Sequence, residues 1–131
     1  MEKQLKVGVI GLGGRGYGLL STILEVKGVE IAAVCDKYED RQQRAVKRVE
    51  ELAGNTPVGT GNYKDILAMD EIDAIIVSSS WADHIHIAID GMKAGKYVGV
   101  EVGGAYSLDE CWELVRTYEE TGTPCMLLEN C

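Results

Sequence analysis

A glycine-rich turn near the amino terminus constrains the fold more than any other feature of this sequence. The apolar run Leu5–Ile10 leads directly into Gly11-Leu12-Gly13-Gly14-Arg15-Gly16. Apolar residues then recur at helical spacing, at Leu19, Leu20, Ile23 and Leu24. Glycines at such short intervals allow a sharp turn and a close approach of backbone to backbone. The segment is therefore predicted to fold as a strand, a tight turn and a helix.

The rest of the chain repeats this alternation of apolar runs with amphipathic segments. Further strands are predicted at residues 30–35, 58–60, 73–77, 97–100 and 125–128. Continuous apolar strands separated by amphipathic helices are typical of a parallel sheet that is covered on both faces. We therefore predict an α/β fold, a doubly wound parallel sheet of about six strands. Residues 1–131 are predicted to form one dinucleotide-binding domain.

The predicted last helix begins with a capping box, Ser107-Leu108-Asp109-Glu110. Its apolar spacing predicts an inward face of Cys111, Leu114, Val115 and Tyr118. Trp112 and Met126 are also predicted to lie in the core. The chain has four cysteines without a C-x-x-C pair, which indicates reduced thiols that pack as small hydrophobic side chains.

Composition and charge exclude several classes of function. The formal net charge is -8 and the chain has no run of lysines and arginines, so a nucleic-acid partner is not expected. The apolar run at the amino terminus is too short for a signal-peptide core or a membrane span. The sequence therefore predicts a cytoplasmic protein with no membrane partner, and it contains no metal-ligand pattern.

The glycine turn and the second strand together indicate a cofactor. Gly11 allows the tight turn, Gly13 lets backbone N–H groups approach a pyrophosphate, and Gly16 lets helix and strand pack closely. Asp36 follows about twenty residues later, at the end of the second strand, where a carboxylate binds the adenine-ribose hydroxyls. This spacing predicts NAD. Lys37 and Arg41 would screen a 2′-phosphate, which keeps NADP open as the less favoured cofactor.

Ligands of open parallel sheets bind outside the carboxyl ends of the strands. Glu101 closes the fifth predicted strand at that edge, where a carboxylate meets the nicotinamide half of the cofactor or a partner side chain. The serines and Trp81 after the fourth strand reach the same edge. Trp81 and His84 also fit an ordinary half-buried aromatic residue and a structural helix histidine, and His86 is predicted to be structural.

Over its whole length the chain resembles the N-terminal Rossmann domain of the glucose-fructose oxidoreductase, inositol dehydrogenase and MocA family. The resemblance rests on the glycine turn, Val34-Cys35-Asp36, His84, Ala94-Gly95-Lys96-Tyr97-Val98 and Glu101. Typical members carry Lys-Pro after that acid, and the lysine acts near the site of hydride transfer. Val102-Gly103 stands here instead, so the usual catalytic lysine is missing.

The chain resembles one branch more closely, the NAD-dependent α-N-acetylgalactosaminidases of glycoside hydrolase family 109. The pattern of that branch is matched here by Glu101-Val102, by Trp81 with His84, and by Glu129-Asn130-Cys131, and its Leu-Glu-Glu-Cys-Trp is matched by Leu108-Asp109-Glu110-Cys111-Trp112. Ser80, Asp83 and Gly103 depart from its pattern, which leaves the substrate open. The likeness, together with the glycine turn, implies these cofactor-binding residues: Gly11, Gly13, Gly14, Arg15, Gly16, Asp36, Trp81, His84, Glu101, Val102 and Asn130. Asn130 also fits an ordinary turn residue.

The resemblance implies that the chain is the NAD-binding domain of a sugar-processing oxidoreductase-like protein. A second domain, absent from this chain, would bring the carbohydrate substrate pocket and make the intact protein a homo-oligomer. The isolated chain is then expected to bind NAD without turning over substrate. Two alternatives are an NAD-dependent glycosidase that works by transient oxidation and elimination, and a noncatalytic NAD-binding module.

Overall fold

The computed structural model of this chain describes residues 2–129. Within this range the strands are β1 (Leu5–Ile10), β2 (Val29–Cys35), β3 (Val58–Thr60), β4 (Ala74–Val77), β5 (Tyr97–Glu101) and β6 (Cys125–Leu128). The helices are α1 (Gly14–Leu24), α2 (Glu39–Ala53), α3 (Tyr63–Leu67), α4 (His84–Lys93) and α5 (Leu108–Thr121). Each predicted strand is present, whereas the short α3 was not predicted because one turn and a half shows no apolar periodicity.

The strands form one parallel sheet in the order β3-β2-β1-β4-β5-β6. This order confirms the predicted doubly wound α/β fold. Strand order reverses between β1 and β4, so the loops that follow these two strands diverge to opposite faces of the sheet. The crevice between them is where open α/β sheets bind their ligands.

Two apolar layers hold the helices on the sheet. On one face Leu20 of α1 and Val49 of α2 pack against Val9 and Val34 of the sheet. On the other face buried side chains of α3 and α4, including Met92, join the opposite side of the strands. Alternate residues of β4 thus enter different layers, Ala74 and Ile76 one and Ile75 and Val77 the other, as the pleat of a strand requires.

The predicted inward face of α5 was wrong for three of its four residues. Leu114 packs against the core, but Cys111, Val115 and Tyr118 are exposed, and Thr117 is the buried residue of this helix. Trp112 and Met126 were predicted in the core and are 53% and 65% exposed. The reason is topological. Because β6 is the outermost strand, the neighbouring helix α5 packs against the sheet on one side and is exposed on the other.

The three described cysteines also differ from one another more than expected. Cys35 is buried, Cys125 is half-buried and Cys111 is exposed, and all three are free thiols. Burial raises the pKa of the Cys35 thiol to about 12, with Asp36 adding to the effect. The small-hydrophobe prediction therefore holds for Cys35 and is wrong for Cys111, while Cys131 lies outside the described residues.

A buried lysine organises the opposite, amino-terminal edge of the sheet. Lys96 Nζ donates to the carbonyl oxygens of Met69, at 2.6 Å, and Ile72, at 2.8 Å. This explains why a lysine stands before β5, since its ammonium satisfies two carbonyls in the loop that leads into β4. Among residues 2–129, no helix is long and apolar enough to cross a membrane.

Candidate functional site

The glycine turn is held between the ends of β2 and β4 by contacts that leave no room for side chains. Gly11 has a φ of 94°, and a Cβ placed on it would lie 2.5 Å from the backbone of Ser78 and Ser79. A Cβ on Gly16 would lie 1.8 Å from the carbonyl oxygen of Gly11. Only glycine fits at either position. The turning and packing roles predicted for Gly11 and Gly16 are confirmed.

Gly13 and Gly14 are glycines for a different reason. Nothing lies within 4 Å of a Cβ built on Gly14, and the nearest atom to one on Gly13 is the Nη1 atom of Arg41, at 3.8 Å. Gly13 is the N-cap of α1, and no side chain of the described residues caps this helix. The first turn of α1 therefore presents backbone N–H groups and the positive end of its dipole to the outside.

Asp36 connects the glycine turn to the end of β2. One of its carboxylate oxygens accepts from the backbone N–H of Leu12, at 2.8 Å, and the other accepts from that of Tyr38, at 2.9 Å. Arg41 Nη1 lies 3.6 Å from the same carboxylate. A carboxylate has about four lone-pair sites, so free acceptor capacity remains toward the cleft. The contact with the adenine ribose stays a prediction.

Two tyrosines that sequence reasoning missed stand on the same side. The ring of Tyr38 lies under Arg41, 4.8 Å from ring centre to Cζ, and under Lys37, 5.1 Å from ring centre to Nζ. Tyr63 donates to Asp90, and its burial together with this bond raises the pKa of Tyr63 to about 12. Their position just after β2 and β3 was the available signal.

The end of β4 is shaped by short polar contacts. Ser78 Oγ donates to the carbonyl oxygen of Gly11, at 3.0 Å. The Nε2 atom of His84 lies 2.9 Å from the carbonyl oxygen of Ser79, and the residue is 1% exposed. In this position His84 supports the loop after β4 and presents no accessible atom to the cleft, so the cofactor contact implied for it has no support from its placement.

Glu101 has a partner that explains the charge at the end of a buried strand. Its Oε1 atom lies 3.0 Å from both Nε and Nη2 of Arg15. The Glu101 side chain is 8% exposed and that of Arg15 is 55% exposed. The arginine of the glycine turn is therefore directed across the sheet to β5. Val102, next in the chain, is partly exposed at the same edge.

Trp81 lies in the loop after β4, 61% exposed, against the backbone of Gly103. With Glu101 and Arg15 it forms the β5 side of the carboxyl edge, opposite Asp36. Asn130, the last implied cofactor residue, lies outside the described residues.

A cleft of about 610 Å³ opens over the carboxyl ends of β1, β2 and β4. This volume is in the range of small-molecule and cofactor sites. It is lined by Ile10, Gly11, Gly13, Cys35, Asp36, Lys37, Tyr38, Arg41, Gly61, Tyr63, Ser78, Ser79, Ser80, Asp83, His86 and Ile87. His86 also pairs with Glu110 across 3.3 Å. In the part of the chain that the structure describes, no three ligating side chains are grouped to hold a metal ion.

Comparison with known proteins agrees with this geometry. The sequence profile of the Gfo/Idh/MocA oxidoreductases, described as an oxidoreductase family with an NAD-binding Rossmann fold, matches residues 5–128. The chain belongs to this family. It is an NAD(P)-binding Rossmann domain of the kind found in these oxidoreductases.

Its curated relatives are longer proteins. A glycosyl hydrolase family 109 protein from Solibacter usitatus is 37% identical over 97% of this chain and 30% of its own length. The α-N-acetylgalactosaminidase of Shewanella oneidensis is 38% identical over 96% of this chain and 28% of its own length. The chain thus spans less than a third of these relatives.

Solved structures show the same fold. Scyllo-inositol dehydrogenase from Lactobacillus casei, with NAD(H) and scyllo-inositol bound, superposes with a TM-score of 0.85 at 19% identity, over 96% of this chain and 36% of its own. A 3-ketoreductase from Actinomadura kijaniata in complex with TDP-benzene and NADP has a TM-score of 0.81 at 25% identity, over 98% of this chain and 38% of its own. Proteins of this fold thus hold either dinucleotide.

The role of Asp36 as a structural link leads to a stability prediction. In Asp36→Asn the amide nitrogen faces one of the two backbone N–H groups, so one buried donor loses its acceptor. We expect the free energy of unfolding without nucleotide to fall by about 1–3 kcal/mol. Asp70→Asn, at an exposed position, should change it by less than about 0.5 kcal/mol. Equal denaturant midpoints for the two variants would contradict the assignment.

Proposed function

We propose that this domain binds NAD across the carboxyl edge of its sheet and serves sugar oxidation in the intact protein. The observation that carries the proposal is the contrast within the glycine turn. Gly11 and Gly16 are required by contacts inside the protein, whereas Gly13 and Gly14 face open space beside an uncapped helix start. Space and unpaired N–H groups at a helix N-terminus suit a pyrophosphate.

The adenosine half of the cofactor fits the cleft between Asp36 and Tyr63. Asp36 retains acceptor capacity for ribose hydroxyls and repels a 2′-phosphate. Arg41 and Lys37 are engaged with the Tyr38 ring, and Arg41 also with Asp36 itself. These placements favour NAD, with NADP as the weaker ligand.

The nicotinamide half then extends toward β5. Trp81, Glu101 and Val102 stand there, and the Arg15–Glu101 pair limits how far Arg15 swings toward the pyrophosphate. Bound NAD would supply a hydride acceptor at this edge. The residues of this chain bind and orient the cofactor, and the groups that act on the sugar lie outside the described structure.

Two reactions follow for the intact protein. As a dehydrogenase it would oxidise a sugar carbinol with net formation of NADH. As a glycosidase it would oxidise the sugar transiently, which makes the neighbouring proton acidic and allows elimination of the aglycone. Water would then add to the unsaturated sugar, and return of the hydride to the sugar would leave the cofactor oxidised again. NAD-dependent glycosidases are a recognised departure from two-carboxylate hydrolysis. Val102-Gly103 in place of Lys-Pro, and the names of the curated relatives, support the second reaction.

Gly13→Ala tests the binding proposal. The new methyl group projects into the cleft and meets no backbone of the protein, so the fold should persist while the pyrophosphate is held away from the N–H groups. Calorimetric titration should show an NAD affinity at least about tenfold weaker, a difference of about 1.4 kcal/mol.

Gly18→Ala is the matched control, because its Cβ also meets nothing within 4 Å but lies further along α1. It should raise helix stability by about 0.5–1 kcal/mol and leave NAD affinity unchanged. The unsubstituted chain should bind NADP more weakly than NAD. Undiminished NAD binding by Gly13→Ala would contradict the placement of the pyrophosphate.

The reaction is tested on the intact protein with an aryl α-N-acetylgalactosaminide and no added NAD. Release of the aryl alcohol without net NADH is the result expected of the glycosidase. NADH formation from a free sugar, with no aryl alcohol released, would support the dehydrogenase. Tight NAD binding with neither product would indicate a noncatalytic module.

A further inference from the structure

The contact between Trp81 and Gly103 is closer than any other side chain at that position would allow. Gly103 has a φ of 87°, and a Cβ built on it would lie 2.3 Å from Cδ1 and Cγ and 2.4 Å from Nε1 of the Trp81 indole. Nearly equal distances to three atoms of one ring place that Cβ over the face of the five-membered ring. The backbone of Gly103 therefore lies next to one face of the indole.

The rest of the indole is largely exposed. Trp81 is 61% exposed although one face is covered, and it belongs to a turn in which the backbone N–H of Asp83 donates to the carbonyl oxygen of Ser80, at 3.0 Å. Ser80 and Asp83, on either side of it, line the cleft. The ring is thus presented beside the carboxyl ends of β4 and β5.

Gly103 differs from its neighbour in this respect. Nothing lies within 4 Å of a Cβ built on Gly104, and its φ is not positive. Position 103 therefore requires a glycine both for its backbone conformation and for its lack of a side chain. Position 104 requires a glycine for neither reason. The position that requires glycine is thus the one that contacts the Trp81 ring.

We propose that Gly103 is a positioning residue that holds the Trp81 indole in place. The exposed face of the indole then stacks on the nicotinamide ring of the bound cofactor. The inference rests on the proposed function, because it takes NAD as the ligand. Oxidised nicotinamide is planar and positively charged, and such a ring is attracted to the face of an indole. The adenosine half would bind in the cleft beside Asp36 and Tyr63 and would not contact Trp81.

The test uses the whole chain carrying Trp112→Phe, which leaves Trp81 as the single tryptophan of the two in the sequence. NAD and ADP-ribose, which lacks the nicotinamide, are titrated while Trp81 emission and heat of binding are recorded. NAD should quench the emission strongly. ADP-ribose should bind with little quenching, since nothing then stacks on the ring.

Gly103→Ala in this background should abolish the quenching by NAD and weaken NAD about tenfold, the loss expected for one aromatic stacking contact. Its affinity for ADP-ribose should be unchanged. Gly104→Ala should keep both the quenching and the NAD affinity. Trp81→Leu, made without the Trp112→Phe change and at an exposed position, should show the same loss of NAD affinity. It replaces Gly103→Ala as the test if that variant does not fold.

The outcomes separate this inference from the proposed function. If NAD and ADP-ribose bind equally well to every variant, the proposed role of Gly103 and Trp81 is wrong, but the proposed cofactor site is retained. If Gly103→Ala keeps both the quenching and the NAD affinity, the proposed role of Gly103 is also wrong. If neither nucleotide binds the unsubstituted chain, the proposed function and this inference fall together.

Discussion

The close packing of the glycine turn between two strand ends is the constraint on which the rest of the site depends. The N–H of Gly11 donates to the carbonyl oxygen of Cys35 at the end of β2, and the N–H of Ser78 after β4 donates to that of Ile10. With Gly16 packed on the Gly11 carbonyl, the start of α1 is fixed over the point where strand order reverses. A larger residue at Gly11 or Gly16 would move the helix end away from that point.

The polar groups around this turn mostly satisfy one another, and this determines what is left for a ligand. Asp36 binds two backbone N–H groups, His84 supports Ser79, and Glu101 holds Arg15. Charged and titratable residues that the sequence predicts to contact a ligand thus also form hydrogen bonds within the protein. Among the described groups at this edge, the buried Ser79 Oγ and His84 Nδ1 lack a hydrogen-bond partner. The groups that remain accessible to a ligand are the N–H groups at the start of α1 and the exposed part of Trp81, and the proposals of cofactor binding rest on them.

Sequence reasoning predicted the sheet well because its strands are continuous apolar runs with clear ends. β1, β3 and β6 have the predicted bounds, and the turn glycines follow from backbone sterics. It failed for α5, whose apolar side chains outnumber those that its place beside an edge strand can bury. Trp112 therefore lies in solvent while Thr117 is buried.

The pairing of side chains was also beyond the sequence. Glu101 and Arg15 are far apart in the chain and meet because β5 and the start of α1 share one edge, and no spacing rule connects them. The contact of Trp81 with Gly103 is of the same kind. The residues at the strand ends could thus be identified from the pattern, but their division between internal partners and free groups required the fold.

Binding of the pyrophosphate at the start of α1 can be tested by measuring amide chemical shifts during an NAD titration. We expect the largest changes at the N–H groups of Gly13, Gly14 and Arg15 and no change at the amide of Lys96 at the opposite edge. Changes centred on Lys96 with an unperturbed glycine turn would contradict it.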